Sequence, residues 1–182
     1  MQRFDASVLA PVAPSAVVQR TCPRSAALIA ACRLGAGPGT RPGLWPWAAA
    51  RIEWPFGVFQ TADLQAAQRA CLMLDGSWQM ADAGNSVQRL GVRLRAIGVD
   101  AAWWRPLQEG DAWDAGVVLD LARLAHFWPR RATLIVVDRE LGSSGHRALA
   151  TLNERAFVLP RAVRVVVVSA GPLLPFARPV GG

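Results

Sequence analysis

A chain of 182 residues, 52% of them apolar, is long enough for one domain with a sizeable core and too hydrophobic to be disordered throughout. All 20 of its basic residues are Arg, against 13 acids, which leaves a formal charge of +7 and excludes any mechanism that needs a lysine ammonium. Three cysteines (Cys22, Cys32, Cys71) with no C-x-x-C spacing, and two histidines (His126, His146), exclude a fully paired disulfide framework and a histidine-built metal cluster.

The thiols are expected to be reduced and the chain cytoplasmic, and no apolar run approaches the length of a membrane span. The positive charge favours polyanionic partners, with nucleic acid ahead of an anionic membrane surface. The arginines form no dense patch, so a scattered solvated surface stands beside that reading.

Residues 1–24 carry Pro11, Pro14 and Pro23 among small side chains and read as a flexible N-terminal arm ahead of a single α/β domain over 25–182. Arg3 and Arg20 against one acid, Asp5, also give the balance of an organellar transit peptide, though a poorly amphipathic one. Ser25 to Leu34 is an apolar run of strand or helix length. It leads into a glycine-rich loop, Gly35 to Gly43.

A glycine-rich loop after an apolar run is where a nucleotide-binding α/β domain cradles phosphate. Gly35, Gly37, Gly39, Thr40 and Arg41 are the candidate contacts for ATP. A phosphate loop ends in Lys followed by Ser or Thr, however, and here Arg41 is followed by Pro42, which has no amide to offer. The linker reading of this loop ranks ahead of the phosphate one.

Leu44 to Gln60 holds Trp45, Trp47, Trp54, Phe56 and Phe59, interrupted by Pro46 and Pro55. Packing of an irregular segment is its first reading. The other two are a patch that docks a protein partner through Trp45, Trp47 and Trp54, and a stacking surface for single-stranded nucleic acid. Thr61-Ala62-Asp63-Leu64 can start a helix with Thr61 as its cap, and Leu64 to Arg69 continues it.

Cys71 to Asp75 is an apolar run that ends on an acid, as a strand would. Val87, Leu90, Leu94 and Ile97, with Arg89, Arg93 and Arg95 between them, predict an amphipathic helix closed by Gly98. Val99 to Trp104 reads as the next strand, and Trp113 to Phe127 as a helix whose acidic first turn includes Glu109, Asp111 and Asp114. Thr133-Leu134-Ile135-Val136-Val137 and Val163 to Val168 are β-branched runs apolar on both faces, the mark of strands covered by helices on both sides. Between them Gly145 to Val158 has helical spacing, with Leu149, Leu152 and Phe157 inward and Arg147, Glu154 and Arg155 outward.

Alternating strands and helices predict a three-layer α/β domain with a mostly parallel sheet. Its ligand site is expected at the carboxyl ends of the strands, where Asp75, Asp138 and Ser169 would gather. Asp138 is also an acid that can simply cap its own turn.

Four segments carry a family resemblance: Leu72-Met73-Leu74-Asp75-Gly76, Arg95 to Asp100, Thr133 to Asp138, and Arg164 to Gly171. In this order they resemble the core of RecA-type recombination ATPases, a P-loop-like fold. The resemblance implies that Asp138 holds the Walker B position, where the family binds Mg²⁺ through water. It implies that Ser169 ends the strand carrying the family's nucleotide-sensing residue, and that Asp75 lies near the position before its catalytic glutamate. With no loop lysine, and Gly76-Ser77 where a glutamate is expected, the chain looks similar to the non-hydrolysing members. Those serve DNA repair, recombination and the SOS-type damage response as recombinase paralogues, translesion accessory proteins and SulA-type inhibitors, through protein partners. ATP and Mg²⁺ would then bind weakly, if at all.

Two alternatives share the local pattern. Glu109 with Asp138-Arg139-Glu140 resembles the acids of a Toprim domain, which hold Mg²⁺ for nucleic-acid chemistry, at a closer spacing than usual. Val136 to Gly145, followed later by Val165 to Ala170, is reminiscent of a receiver domain with Asp138 as phosphoacceptor. That family needs a lysine near its site, and this chain has none.

Overall fold

A computed structural model describes residues 8–12, 23–34, 56–75, 84–101, 113–175 and 177–179 of the chain. Its centre is a six-stranded sheet: β1 (Leu9–Ala10), β2 (Phe56–Thr61), β3 (Asp114–Val118), β4 (Thr133–Val137), β5 (Val163–Val168) and β6 (Ala177–Pro179). The spatial order is β1-β3-β4-β5-β2-β6. All neighbours run parallel except β1, which pairs antiparallel with the outer side of β3. β4 is interior, as its two-sided apolar run requires, and all five of its residues are buried.

Helices cover both faces. On one side α1 (Pro23–Leu34) and α2 (Leu64–Leu74) bring Leu28, Cys32, Ala67, Ala70, Cys71 and Leu74 against Phe59, Leu134, Val136 and Val166. On the other, a 3-10 helix (Ala122–His126) and α4 (Gly142–Glu154) bring Leu124, Leu149 and Leu152 against Ile135, Val137, Val165 and Val167. Alternate residues of each strand serve the two cores, as the pleat dictates. The remaining helix, α3 (Ser86–Ala101), has no buried residue among its described side chains. Among the described residues no helix is long and apolar enough to cross a membrane.

Several expected elements are different in the structure. Cys71 to Leu74 is the last turn of α2, and Asp75 is its C-cap, not the end of a strand. Val99 to Ala101 continues α3. Trp113 to Phe127 is β3 and the 3-10 helix, so Asp114 opens a strand and no acidic helix turn forms there. A helix over this stretch would have satisfied its local spacing. Pairing β3 between β1 and β4 instead places Ala115 and Val118 in the two cores. Phe56 to Thr61, read as part of an irregular aromatic segment, is β2, and Phe56 and Phe59 are buried on opposite faces.

Two further points concern the ends of elements. Within the expected arm, Leu9 and Ala10 lie on the sheet edge, and a Cβ on Gly116 would come 2.7 Å from the Ala10 carbonyl oxygen. Close approach of β1 therefore requires glycine there. The central helix starts at Gly142, earlier than Gly145, after a left-handed turn at Gly142 (φ 54°) that glycine adopts without penalty.

Candidate functional site

Helix α2 leaves β2 onto one face, and the connections β3-to-β4 and β4-to-β5 lie on the other. The change of face makes the gap between β2 and β5 the switch point of the sheet, where parallel α/β folds place their ligands at the carboxyl ends. Thr61 ends β2 and Ser169 follows β5, and the Ser169 amide donates to the Thr61 carbonyl at 2.9 Å.

The β2–α2 junction is only Thr61-Ala62-Asp63. Asp63, and not Thr61 as expected, is the N-cap: its Oδ1 accepts from the Ala66 amide at 2.9 Å. Thr61 Oγ1 instead accepts from the Asp63 amide at 3.2 Å. The exposed Arg24 lies 3.6 Å from the Asp63 carboxylate, a contact of modest strength in solvent. A helix N-terminus attracts anions, and here the chain's own carboxylate already occupies it.

Across the gap, the 169–174 loop is held by one buried side chain. Gln60 Nε2 donates to the carbonyls of Gly171 (3.1 Å) and Pro172 (3.2 Å), and its Oε1 accepts from the Leu174 amide at 3.0 Å. Ser169 Oγ accepts from the Gly171 amide at 3.1 Å, folding the turn onto itself. Both hydroxyls at the switch point thus accept bonds from their own turns.

Asp138 lies one strand further out. It is exposed directly after β4, and extending the β4–β5 register by one residue sets it beside Val168. Arg139 Nε approaches it at 3.7 Å, while the Arg139 guanidinium also donates to the Val118 carbonyl at 3.2 Å and so ties β3 to the β4 exit. Asp138 and Ser169 therefore share the carboxyl edge. Asp75 does not: it sits buried at the opposite edge, bridged to Trp113, because α2 runs back antiparallel to the strands.

Among the described residues no group of three or more His, Cys, Asp or Glu side chains could hold a metal ion, so Asp138 gathers no such ligand set around it. Gly35, Gly37, Gly39, Thr40 and Arg41, the Trp45, Trp47 and Trp54 segment, Gly76-Ser77 and Glu109 lie outside the described residues. The run ahead of the glycine-rich loop is helix α1, so that loop follows a helix C-terminus, the electronegative end, instead of a strand. The receiver alternative meets a different obstacle. Counting the parallel strands in chain order, the sheet reads 2-3-4-1-5, whereas receiver and flavodoxin-like sheets read 2-1-3-4-5.

Of the arginines that could contact phosphate, Arg131 is mostly buried 3.9 Å from Asp114, while Arg89, Arg93 and Arg130 are exposed and the Arg95 side chain lies outside the described residues. Gln60, Asp63 and Arg139 organise this edge without standing out in the sequence. The available signal was local: a strand-like Phe-Gly-Val-Phe-Gln-Thr followed at once by an Asp cap and a helical run. No protein-family model matches the chain, and no curated protein or solved structure matches it either.

Proposed function

We propose that this chain is a non-hydrolysing scaffold with a RecA-like core, serving DNA repair, recombination or an SOS-type damage response through protein partners. The observation that carries the non-hydrolysing part is the β2–α2 junction. A phosphate-transfer site at the switch point needs a loop long enough to wrap the β- and γ-phosphates and an open helix N-terminus. Here the connection is a tight turn, and Asp63 fills the N-terminus of α2 with negative charge. The absence of lysine from the whole chain removes the usual clamp as well.

The repair assignment rests on the motif resemblance. Thr133 to Asp138 and Arg164 to Gly171 provide the adjacent interior strands β4 and β5 that such a core needs. Leu72 to Asp75 and Arg95 to Asp100 belong to helices and lend it no support. The protein-partner part favours the Trp45, Trp47 and Trp54 segment over nucleic acid, because the arginines are interleaved with acids in the sequence and the aromatics are not.

Two measurements test this reading. The purified chain is expected to show no steady-state ATP turnover, and turnover that disappears in Asp138→Asn would overturn the scaffold assignment. In a pull-down from native cells, the expected complex survives moderate salt and is lost in Trp45→Ala or Trp54→Ala, since buried aromatics dominate protein interfaces. Tight DNA binding by the purified chain that falls steeply with salt would instead make it a nucleic-acid module.

A further inference from the structure

Helices α1 and α2 pack on each other over the sheet, and each brings a cysteine to the same core. Cys32 of α1 and Cys71 of α2 are free thiols, and both are fully buried. Burial, then the Asp75 carboxylate, then Cys32 raise the Cys71 thiol, and the last of these places the two sulfurs near each other. Small side chains line the same core, with Ala67 and Ala70 of α2 wholly buried in it. Small residues let helix axes approach to about 8 Å, the lower end of the usual range, and a disulfide needs backbones that close.

Both cysteine backbones are also anchored at the amino edge of the sheet. From the start of β5, Arg164 Nε donates to the Cys32 carbonyl at 3.0 Å. The Asp75 amide donates to the Cys71 carbonyl at 2.9 Å. The Trp113 amide donates to the Leu74 carbonyl at 3.0 Å, which holds the end of α2 against the start of β3. We propose that Cys32 and Cys71 form a redox latch, which a small-molecule disulfide closes into a bridge between α1 and α2 and a small thiol reopens.

One small disulfide balances the reaction. A first protein thiol loses its proton, and its thiolate attacks the small disulfide, forming a mixed disulfide and expelling one small thiolate. The second protein thiolate attacks the protein sulfur of that mixed disulfide and expels the other. The protein pair loses two electrons and two protons, and two small thiols gain them. Only thiolates attack, and burial pushes the Cys32 thiol up to about 12. The pair is therefore inert while α1 is seated and reacts when α1 lifts and admits water. Once closed, the bridge ties both ends of the stretch 33–70, which carries Trp45, Trp47 and Trp54. The inference does not depend on the RecA-like reading.

The test incubates the full chain with excess oxidised glutathione at mildly alkaline pH, followed by mass spectrometry and peptide mapping without reduction. A monomer lighter by two hydrogens is expected, with the Cys32 and Cys71 peptides joined. Its urea midpoint should rise by about 1 M or more, and dithiothreitol should restore the original value. Cys32→Ala and Cys71→Ala should show no such rise, and mapping of the parent decides even where a variant fails to fold. Urea below the unfolding transition should speed closure by about tenfold or more, since it favours the lifted α1. A folded parent that stays reduced, a stable glutathione adduct, or a bridge that uses Cys22 would each overturn the proposal. So would a midpoint that falls on oxidation, or closure at one rate with and without urea.

Discussion

Arg164, the second residue of β5, donates from Nε to the carbonyl oxygen of Cys32 at 3.0 Å, in the last turn of α1. The side chain is fully buried, so a cation lies between the sheet and the C-terminal end of a helix. The helix dipole favours that placement, and the bond satisfies a carbonyl that α1 itself leaves open.

Arg164→Ala is expected to destabilise the fold by about 3 kcal/mol, through a buried cavity and a Cys32 carbonyl without its donor. Urea unfolding checks it. A midpoint equal to that of the parent would mean that α1 is not anchored through this contact.

Leu149 and Leu152 are buried beneath α4 against the sheet, while the Phe157 side chain, expected beside them, lies outside the described residues. Truncating either leucine to Ala should cost roughly 2–5 kcal/mol and lower the Tm accordingly. Arg155, expected on the outer surface, instead donates to the Ala125 carbonyl and lies 5.9 Å over the Trp128 ring. Arg155→Ala should therefore cost about 1–2 kcal/mol, more than an ordinary surface change.

Gln60→Leu keeps the volume but removes both the donors and the acceptor that hold the 169–174 loop. Amide exchange at Leu174 should accelerate by about tenfold or more, with α4 protection falling only as far as global stability falls. Unchanged exchange at Leu174 would show that the loop is held by other contacts.

Burial pushes the Cys32 thiol from its ordinary 9.0 up to about 12, with the Arg164 cation acting in the opposite direction. Burial, then the Asp75 carboxylate and Cys32, raise Cys71 too. Both thiols keep their protons when folded and lose them above about pH 9 when unfolded. Stability from this source is thus full below pH 9.0 and declines as pH rises towards 12. The decline should approach about 1.4 kcal/mol per pH unit for each thiol. Urea midpoints across this range should fall less steeply in Cys32→Ala and Cys71→Ala.

Much of the core was legible from residue pattern alone. Thr133 to Val137 and Val163 to Val168 are β-branched and apolar on both faces, a pattern with few uses other than a buried parallel strand. Leu149 and Leu152 mark the inner side of the intervening helix by spacing; the same spacing at Val87, Leu90, Leu94 and Ile97 marks α3 as a helix, but these four are exposed and add nothing to the core. These are local signals, and local propensity agreed with the tertiary outcome.

Elsewhere only long-range contacts decided. Asp-Ala-Gly-Val-Val in β3 has little strand propensity, and it became a strand because Leu9–Ala10 and β4 flank it. Cys71 to Asp75 looks like a strand ending on an acid, but α2 runs back across the sheet and carries Asp75 to the edge opposite Asp138 and Ser169. Arg164 reads as a polar interruption in a valine run until α1 supplies a carbonyl from a distant part of the chain. The reason is common to all three: short segments carry too little local free energy to choose their state, and partners remote in sequence supply the difference.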